Sequence, residues 1–390
     1  MKIAVIGGGP AGLYFAMLVR KRQPAWSVTV VEQNPPDATF GFGVVMASSG
    51  RNSLHAADAE SHDALIAKMA FTDRQVITVK ETPLVIERPD KGGAIRRIDL
   101  LEVLQASALQ AGVEIRSGVR LASLADLEDL GLGDADLIVG ADGVNSMVRH
   151  EDEAGFGTHR SHLTNHFAWF GVGKAFPSPA LVFRQYEGGS FVAHYYPYAA
   201  DRSTFVAECD DATWHRFGME ELSPDHRAAL FEKVFAAELD GFPLLSNNSA
   251  WRQFPVIRNA RWHSGNKVLI GDAQTSAHFS IGSGTRIAME DAIALAQAVG
   301  EADGTIRQAL HAFEQKRRPE KEKLISASER SYLWYEEVGN WLRQYTPHQF
   351  VYHFMTRTGR VNDQRLAAAY PALYAALQTS GATARHGAQP

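Results

Sequence analysis

Three short, unbroken apolar runs along this chain each end in glycine. Lys2 to Ile6 leads into Gly7-Gly8-Gly9-Pro10-Ala11-Gly12, Leu137 to Val139 into Gly140-Ala141-Asp142-Gly143, and Val268 to Ile270 into Gly271-Asp272. Continuous apolar runs of this length are the pattern of strands covered on both faces. Helical spacing follows the first run from Leu13 to Arg22 and the third at Ala288, Ala292, Leu295 and Val299. A second strand is expected at Val28 to Val31, helical turns over 50–70, a hairpin over Gln75 to Arg88, a helix from Arg97 to about Ala111, and a strand at Val113 to Arg116.

Between about 160 and 265 the period changes to two. His166 to Val172, Leu181 to Tyr186, Phe191 to Tyr198 and Ser203 to Cys209 read as antiparallel strands, with Gly188-Gly189 turning a hairpin. Helices are expected near 211–218 and 224–238, and Trp251 to Ile257 returns the chain. His194, Tyr196 and Tyr198 are expected on one face of this sheet, with Val192, Tyr195 and Pro197 on the other. After 300 the chain reads as helices: Thr305 to Arg317, Pro319 to about Leu342, Pro347 to Thr358 and Asp363 to Leu377. The mixed charges of Lys316 to Lys323 suit a solvated face, and the small polar residues of 380–390 read as a disordered tail.

Composition narrows the class. A chain of 390 residues suits two closely packed domains, and 45% hydrophobic with 21% charged residues is ordinary for a globular protein. A net charge of -5 gives no electrostatic case for nucleic acid or an anionic membrane. The single cysteine, Cys209, excludes an intramolecular disulfide and any multi-cysteine metal centre. No apolar run approaches the roughly 20 residues of a membrane helix, and Lys2 leads directly into the first strand, so a cytoplasmic α/β protein without a signal peptide is expected.

The glycine motifs carry the chemistry. Gly7-x-Gly9-x-x-Gly12 stands between a strand and a helix, with Glu32 and Gln33 closing the next strand about 20 residues on, which is the dinucleotide fingerprint in its required context. Pro10 and Ala11 would open the helix whose free N–H groups face a pyrophosphate, and Glu32 would take ribose hydroxyls. NAD and FAD are not divided by this motif alone. Arg97, at a helix start, opposes the helix dipole and calls for an anionic partner or for solvent. Gly41, Gly43 and Val44 suit close approach to a flat ligand, or a bulged strand. Asp142 and Gly143 lie at the carboxyl end of a buried strand, where ligands collect and where an aspartate also caps turns. Asp272 repeats that position, and Gly282-Ser283-Gly284-Thr285 opens a second helix toward the same region. Two strand–glycine–helix units fit one long, two-ended cofactor, FAD, better than two small ones.

Taken together, Gly7-x-Gly9-x-x-Gly12, Gly140-Ala141-Asp142-Gly143 and Gly271-Asp272-Ala273 resemble the group A flavoprotein monooxygenases, the para-hydroxybenzoate hydroxylase fold. A nearer resemblance, to the aryl-CoA hydroxylases acting on salicylyl-CoA and 2-aminobenzoyl-CoA, rests on four further stretches. They are Pro36-x-x-Thr39-Phe40-Gly41-Phe42-Gly43-Val44-Val45, Glu238-Leu239-Asp240-Gly241, Arg258-Asn259-x-Arg261-Trp262 and Ala277 to Thr285. The segment from Trp334 to Arg357 fits the same group. Gln274-Thr275-Ser276 and Met46-Ala47-Ser48 depart from its pattern, at places expected beside the flavin ring.

The resemblance implies a Rossmann-like FAD-binding domain over 1–160 and 260–330, an inserted antiparallel-sheet substrate domain over 161–259 with parts of 70–95, and C-terminal helices over 331–379. It implies a monomer or homodimer in which NADH or NADPH reduces FAD, O2 adds, and a flavin hydroperoxide hydroxylates an aromatic ring. No metal is required. An ortho-hydroxy or ortho-amino group on a benzoyl-CoA thioester would activate the ring, and His278 and His194 are the candidate acid–base residues. His278 is equally suited to hydrogen-bonding beside the flavin. Arg184, Arg202 and Arg216 are candidates for the CoA phosphates, or for solvent.

Overall fold

The computed structural model describes residues 1–38, 41–301 and 304–383. Its fifteen described strands, β1 to β15 in chain order, form two sheets. The first has the order β14 (His263–Ser264), β15 (Lys267–Leu269), β7 (Leu137–Gly140), β1 (Lys2–Ile6), β2 (Ser27–Glu32) and β6 (Glu114–Ser117), parallel throughout except for the β14–β15 pair. The three glycine turns therefore leave neighbouring strands, β1, β7 and β15, on the same edge. Ile3, Ala4 and Val5 have no solvent exposure because helices cover both faces, which accounts for their unbroken apolar run.

The helix Pro10–Arg22 shows why the fingerprint is followed by so many apolar residues. Residues Ala11 to Val19 are all buried, on every side of the helix. It lies against the sheet and is flanked by the helices Arg97–Gln110 and Gly284–Gly300.

The second sheet runs β12 (Leu244–Leu245), β8 (Thr158–Val172), β11 (Arg202–Cys209), β10 (Gly189–Ala199), β9 (Ala180–Tyr186), β4 (Ala70–Val79), β5 (Thr82–Arg96) and β3 (Gly43–Met46), with β13 (Arg252–Asn259) also paired to β8. The pairs are antiparallel except β4–β9. One face holds Phe191, Ala193 and Phe205 against the helix Pro224–Val234. The opposite face holds Val192 against Trp334, Tyr335 and Phe350. Val192 therefore shares a face with His194, correcting its expected placement. The strand period of two requires this, since 192 and 194 have the same parity.

Pro319 does not divide two helices. A single helix runs Ile306–Glu336 through it. The proline removes one N–H from the ladder, but side chains anchor the helix on both sides of it. Arg317 donates to Asp291 at 2.9 Å and Lys321 to Asp291 at 2.6 Å. The run Lys316 to Lys323 is thus not wholly solvated, because Arg317 and Lys321 are buried. Helical spacing brings 317 and 321 to one inward face, where Asp291 and Glu290 compensate their charge.

The helix Pro371–Thr379 is followed by an ordered turn in which Ala382 is fully buried and its N–H donates to Leu377 O. Ser380 to Thr383 are thus not disordered; 384–390 lie outside the described residues, as do Thr39 and Phe40. Among the described residues no helix is long and apolar enough to cross a membrane.

Candidate active site

The fingerprint turn is closed on its inner side and open on its outer side. A Cβ on Gly12 would stand 2.1 Å from Gly7 O, and one on Gly7, whose φ is +107°, 2.4 Å from Ala141 O. Neither position accepts a side chain without moving backbone. A Cβ on Gly9 would meet nothing within 4 Å. The open side is a cavity of about 450 Å³ lined by Gly7, Gly9, Glu32, Gln33, Arg97, Asp142 and Gly143.

Glu32 is held in place by its own backbone surroundings. Oε2 accepts from Gly8 N at 2.6 Å, and Oε1 accepts from Asn34 N at 2.8 Å and Asn34 Nδ2 at 2.6 Å. Asp142 caps the helix Met147–His150, Oδ2 accepting from Met147 N at 2.7 Å and Val148 N at 3.2 Å. Its other oxygen, Oδ1, is buried with no hydrogen-bond partner among the described residues, and burial pushes the carboxyl above its ordinary range. Both readings of Asp142 thus describe part of it: one oxygen caps, the other is left over in the groove wall. Pro10 and Ala11 do not line the groove. Pro10 opens the helix, and Ala11 lies beneath the third turn, its Cβ 3.4 Å from where a Gly271 Cβ would be.

A second cavity of about 420 Å³ is lined by Gly43, Val44, Arg97, Asp272, Gly282, Ser283, Gly284 and Thr285, with His194, Tyr196, Trp169 and Phe279 from the other side. Arg97 lines both cavities. Its backbone N–H donates to Phe42 O at 2.8 Å, and its charge faces Asp272. The Gly43 end of β3 is tied to the large sheet: Gly43 N donates to Thr204 Oγ1 at 2.9 Å and Tyr196 OH to Gly43 O at 2.8 Å. A Cβ on Gly43 would come 2.6 Å from Tyr198 Cδ1, so this glycine serves the contact with Tyr198.

Beneath Asp272 lies a buried ionic cluster that the sequence did not suggest. Gly271 N donates to Asp291 Oδ2 at 3.1 Å, and Lys321 binds Asp291 and Gln274 Oε1. Arg317 bridges Asp291 and Glu290, and Arg286 joins Glu290 at 2.7 Å. Burial pushes the Asp272 carboxyl up, opposed by Lys321 and Arg97. Gln274, Thr275 and Ser276 are buried in this layer and line neither of these cavities. Ser276 Oγ accepts from Ile257 N and donates to Pro255 O. That departure from the family pattern therefore alters the layer beneath the chamber, not its wall.

The two candidate histidines separate. His278 is 2% exposed and lines none of the cavities. Its Nδ1 accepts from Ser280 N at 3.2 Å, capping the turn Phe279–Ile281, and its ring packs between Phe254 and Phe279. Burial, with Arg357 adding to it, holds its pKa down at about 3, a neutral acceptor rather than an acid–base group at pH 7. His194 instead lines the 420 Å³ chamber and a third, larger cavity of about 840 Å³. Val45, Val206, Phe279, Gly282 and Ser283 are also common to both, so the two spaces adjoin.

Glu208 lines the larger cavity and was missed by sequence reasoning. It is 2% exposed, and burial raises its carboxyl to about 8. Its one signal was an acid at an inward position of an apolar strand. Arg184, a candidate for phosphate, is committed elsewhere: it is buried and bound bidentately to Glu81 at 2.6 Å and to Glu238 at 2.9 Å.

Residues 1–328 match the family model described as FAD binding domain. The chain is 38% identical over 371 residues to a salicyloyl-CoA 5-hydroxylase of a Streptomyces species, covering 92% of this chain and 70% of that protein. It is 35% identical to 3-hydroxy-4-methyl-anthranilyl-[aryl-carrier protein] 5-monooxygenase of Streptosporangium sibiricum, over 87% of this chain and 90% of the relative. Protodeoxyviolaceinate monooxygenase of Chromobacterium violaceum is likewise 35% identical, over 87% and 90%. Among solved structures, 2-methyl-3-hydroxypyridine-5-carboxylic acid oxygenase superposes with a TM-score of 0.69 at 19% identity, covering 94% of this chain and 96% of that one, which shows the shared fold. The chain belongs to the FAD-binding-domain family and is a group A, FAD-dependent aromatic monooxygenase.

Proposed function

We propose that this enzyme hydroxylates the ring of an ortho-hydroxy- or ortho-amino-benzoyl-CoA thioester, with salicylyl-CoA, attacked at its position 5, as the first candidate. The observation that carries this reading is the 840 Å³ cavity adjoining the glycine-lined chamber. It offers far more room than one aromatic ring needs. It extends past Tyr335 and Phe354 to Arg360 and Arg365 on the exposed rim. A ring at the junction with a long anionic arm running outward fits that shape. The similarity to a salicyloyl-CoA 5-hydroxylase supports it.

The groove and chamber fit FAD by the open face of Gly9 and the leftover Oδ1 of Asp142. Gly7, Gly9, Glu32, Gln33, Asp142 and Gly143 would hold the adenosine diphosphate half, with Gly12 keeping the turn closed behind them. Arg97, Asp272, Gly43, Val44 and Gly282 to Thr285 would hold the flavin half. When bound, FAD accepts hydride from NAD(P)H and, with O2, supplies an electrophilic hydroxyl group. The chain's own part is to seat the ring between Trp169, His194 and Phe279, exclude water, and set charge around the donor substituent. A cytoplasmic setting suits the pyridine nucleotide supply.

The test is the rate of flavin reduction by NADH with salicylyl-CoA, 2-aminobenzoyl-CoA or free indoles present. The CoA esters should accelerate reduction and be hydroxylated. Acceleration by indoles alone would replace this reading with that of an indole hydroxylase.

A further inference from the structure

Glu208 is a carboxyl group in a place with no structural need for one. It stands on β11 opposite Val192 of β10 and Phe167 of β8, in a register where its neighbours are apolar. Its one hydrogen-bond partner among the described residues is Asn165, whose Nδ2 donates to Oε1 at 3.0 Å and also to Tyr335 O at 3.0 Å. No arginine or lysine forms an ion pair with it among the described residues. Arg357 lines the same cavity but directs its nitrogens to Ser331 Oγ, Phe354 O and Ser280 O. Leaving a buried carboxyl so thinly compensated costs stability, and such groups concentrate at functional sites.

Position gives the carboxyl a task. Val206 marks the junction of the two cavities; Glu208 lies two residues further along β11, about 7 Å away, on the same face. In a ring hydroxylated para to its donor group, the attacked carbon and the donor lie at opposite ends. With the attacked carbon at the junction, the donor points down the larger cavity toward Glu208. The ortho thioester then leaves in the same general direction, toward Arg360 and Arg365.

We propose that Glu208 is the catalytic residue that meets the ring's electron-donating hydroxyl or amino group, accepting its hydrogen bond in the bound state and its proton during hydroxylation. This rests on the substrate reading above. As the hydroxyl group bonds to the para carbon, the donor O–H bond breaks. Its proton passes to Glu208 and its electron pair forms the C=O of a cyclohexadienone. The para carbon then loses its hydrogen as a proton, which matches the proton taken up as the second oxygen atom of O2 leaves as water; Glu208 returns its own to the donor oxygen, and the ring is aromatic again. For the amino substrate the same exchange runs through N–H and an iminium-type C=N. The oxidant is O2, and NAD(P)H supplies the two electrons that reduce its second oxygen atom to water, as in the established activity.

Glu208 must be ionised to act. The charges around it are Glu336 at the end of the long helix and Asp210 just past the end of its own strand, both of which oppose ionisation. Asn165 favours it, while Tyr335, His194 and Arg357 complete the facing groups. Activity should therefore rise with pH through about 8, the value to which burial brings this carboxyl.

The experiment compares wild type with Glu208→Gln, which keeps an acceptor for Asn165, and Glu208→Asp, all FAD-loaded, with 2-aminobenzoyl-CoA, whose amino group does not titrate in this range. FAD content and melting temperature serve as folding controls. Glu208→Gln should hydroxylate about 100-fold more slowly, lose the limb near pH 8 and divert NADH to hydrogen peroxide, with Glu208→Asp regaining part of the rate. A Glu208→Gln rate within about 3-fold of wild type, with the same pH limb, overturns the proposal. A second measurement does not need the CoA reading. A bound phenol that titrates above pH 8, where Glu208 is ionised, such as 3-nitrophenol followed by its phenolate absorbance, should ionise about one pH unit lower in Glu208→Gln than in wild type, because the carboxylate no longer opposes the phenolate. If the CoA esters are inert but this shift is seen, the substrate reading falls and Glu208 stands. Identical titrations of that phenol in the two proteins overturn the role of Glu208.

Discussion

The two ends of the cavity system are built in different ways. The groove beside β1 and β7 is walled chiefly by backbone: Gly7, Gly9, Gly143 and the first turns of helices, with Glu32 and Asp142 fixed by main-chain N–H groups. The larger cavity is walled by side chains from β10, β11, the long helix and the C-terminal helices: Val192, His194, Glu208, Tyr335, Phe354 and Arg357. Backbone walls demand glycine at fixed spacing, so a change there acts on the fold itself. Side-chain walls leave the backbone indifferent, so a change there acts on what the cavity holds.

The contrast is tested first at its most severe point. Gly12→Val would place a side chain against Gly7 O and should prevent folding or cost more than about 4 kcal/mol, read by denaturant unfolding and loss of bound FAD. A normal, FAD-loaded Gly12→Val protein would break the distinction. Next comes Lys321→Ala, which leaves Asp291 and Gln274 short of a partner under the Gly271 turn and should cost about 3–5 kcal/mol by the same measurement.

At the side-chain end, Glu208 has a folded-state pKa of about 8 against an ordinary 4.5. The folded protein therefore holds a proton there that the unfolded chain gives up over that window. Stability is full below about pH 4.5 and falls by about 1.4 kcal/mol per pH unit up to about 8. Glu208→Gln should remove that slope, leaving it more stable than wild type at pH 8 and equal to it at pH 4.5, as read by chemical denaturation at several pH values. His278 contributes in the opposite sense. Its pKa falls to about 3 on folding, so its share of stability is present above 6.5 and lost as the pH drops. Gly9→Ala should be the mildest change, within about 0.5 kcal/mol in stability but weaker in FAD affinity, seen by titrating apoprotein with FAD. Unchanged affinity would mean that the open face of Gly9 does not meet the cofactor.

The same contrast explains what was legible in the sequence. Turns that require glycine write their requirement into the chain locally, so Gly7, Asp142 and Asp272 are legible at their strand ends and Gly12 in the first turn of its helix, and strand boundaries in both sheets are close. Glu208 was not found because nothing near it in sequence marks it. Its meaning comes from Asn165, Tyr335 and the cavity, which only folding assembles. His278 admits two readings for the matching reason: its residue type suggests chemistry or a hydrogen-bonding role, and only its folded neighbours, Phe254, Phe279 and Tyr332, favour the second. Lys321 and Arg317 look like surface charges in the sequence because their counter-ion, Asp291, lies 30 and 26 positions away on another helix.

The helix that passes through Pro319 has a mechanical consequence. At 31 residues it is a rod about 46 Å long. Ala309, Leu310 and Phe313 near one end belong to the core of the parallel sheet, Leu324 and Ile325 pack with Ile287, and Trp334 and Tyr335 belong to the C-terminal core. One beam is thus set into both masses of the protein, so neither can melt while the other keeps its grip on it. Thermal unfolding is expected as a single calorimetric transition. A chain cut at 328, in mid-beam, should be less cooperative than its intact parent, although it retains every glycine motif.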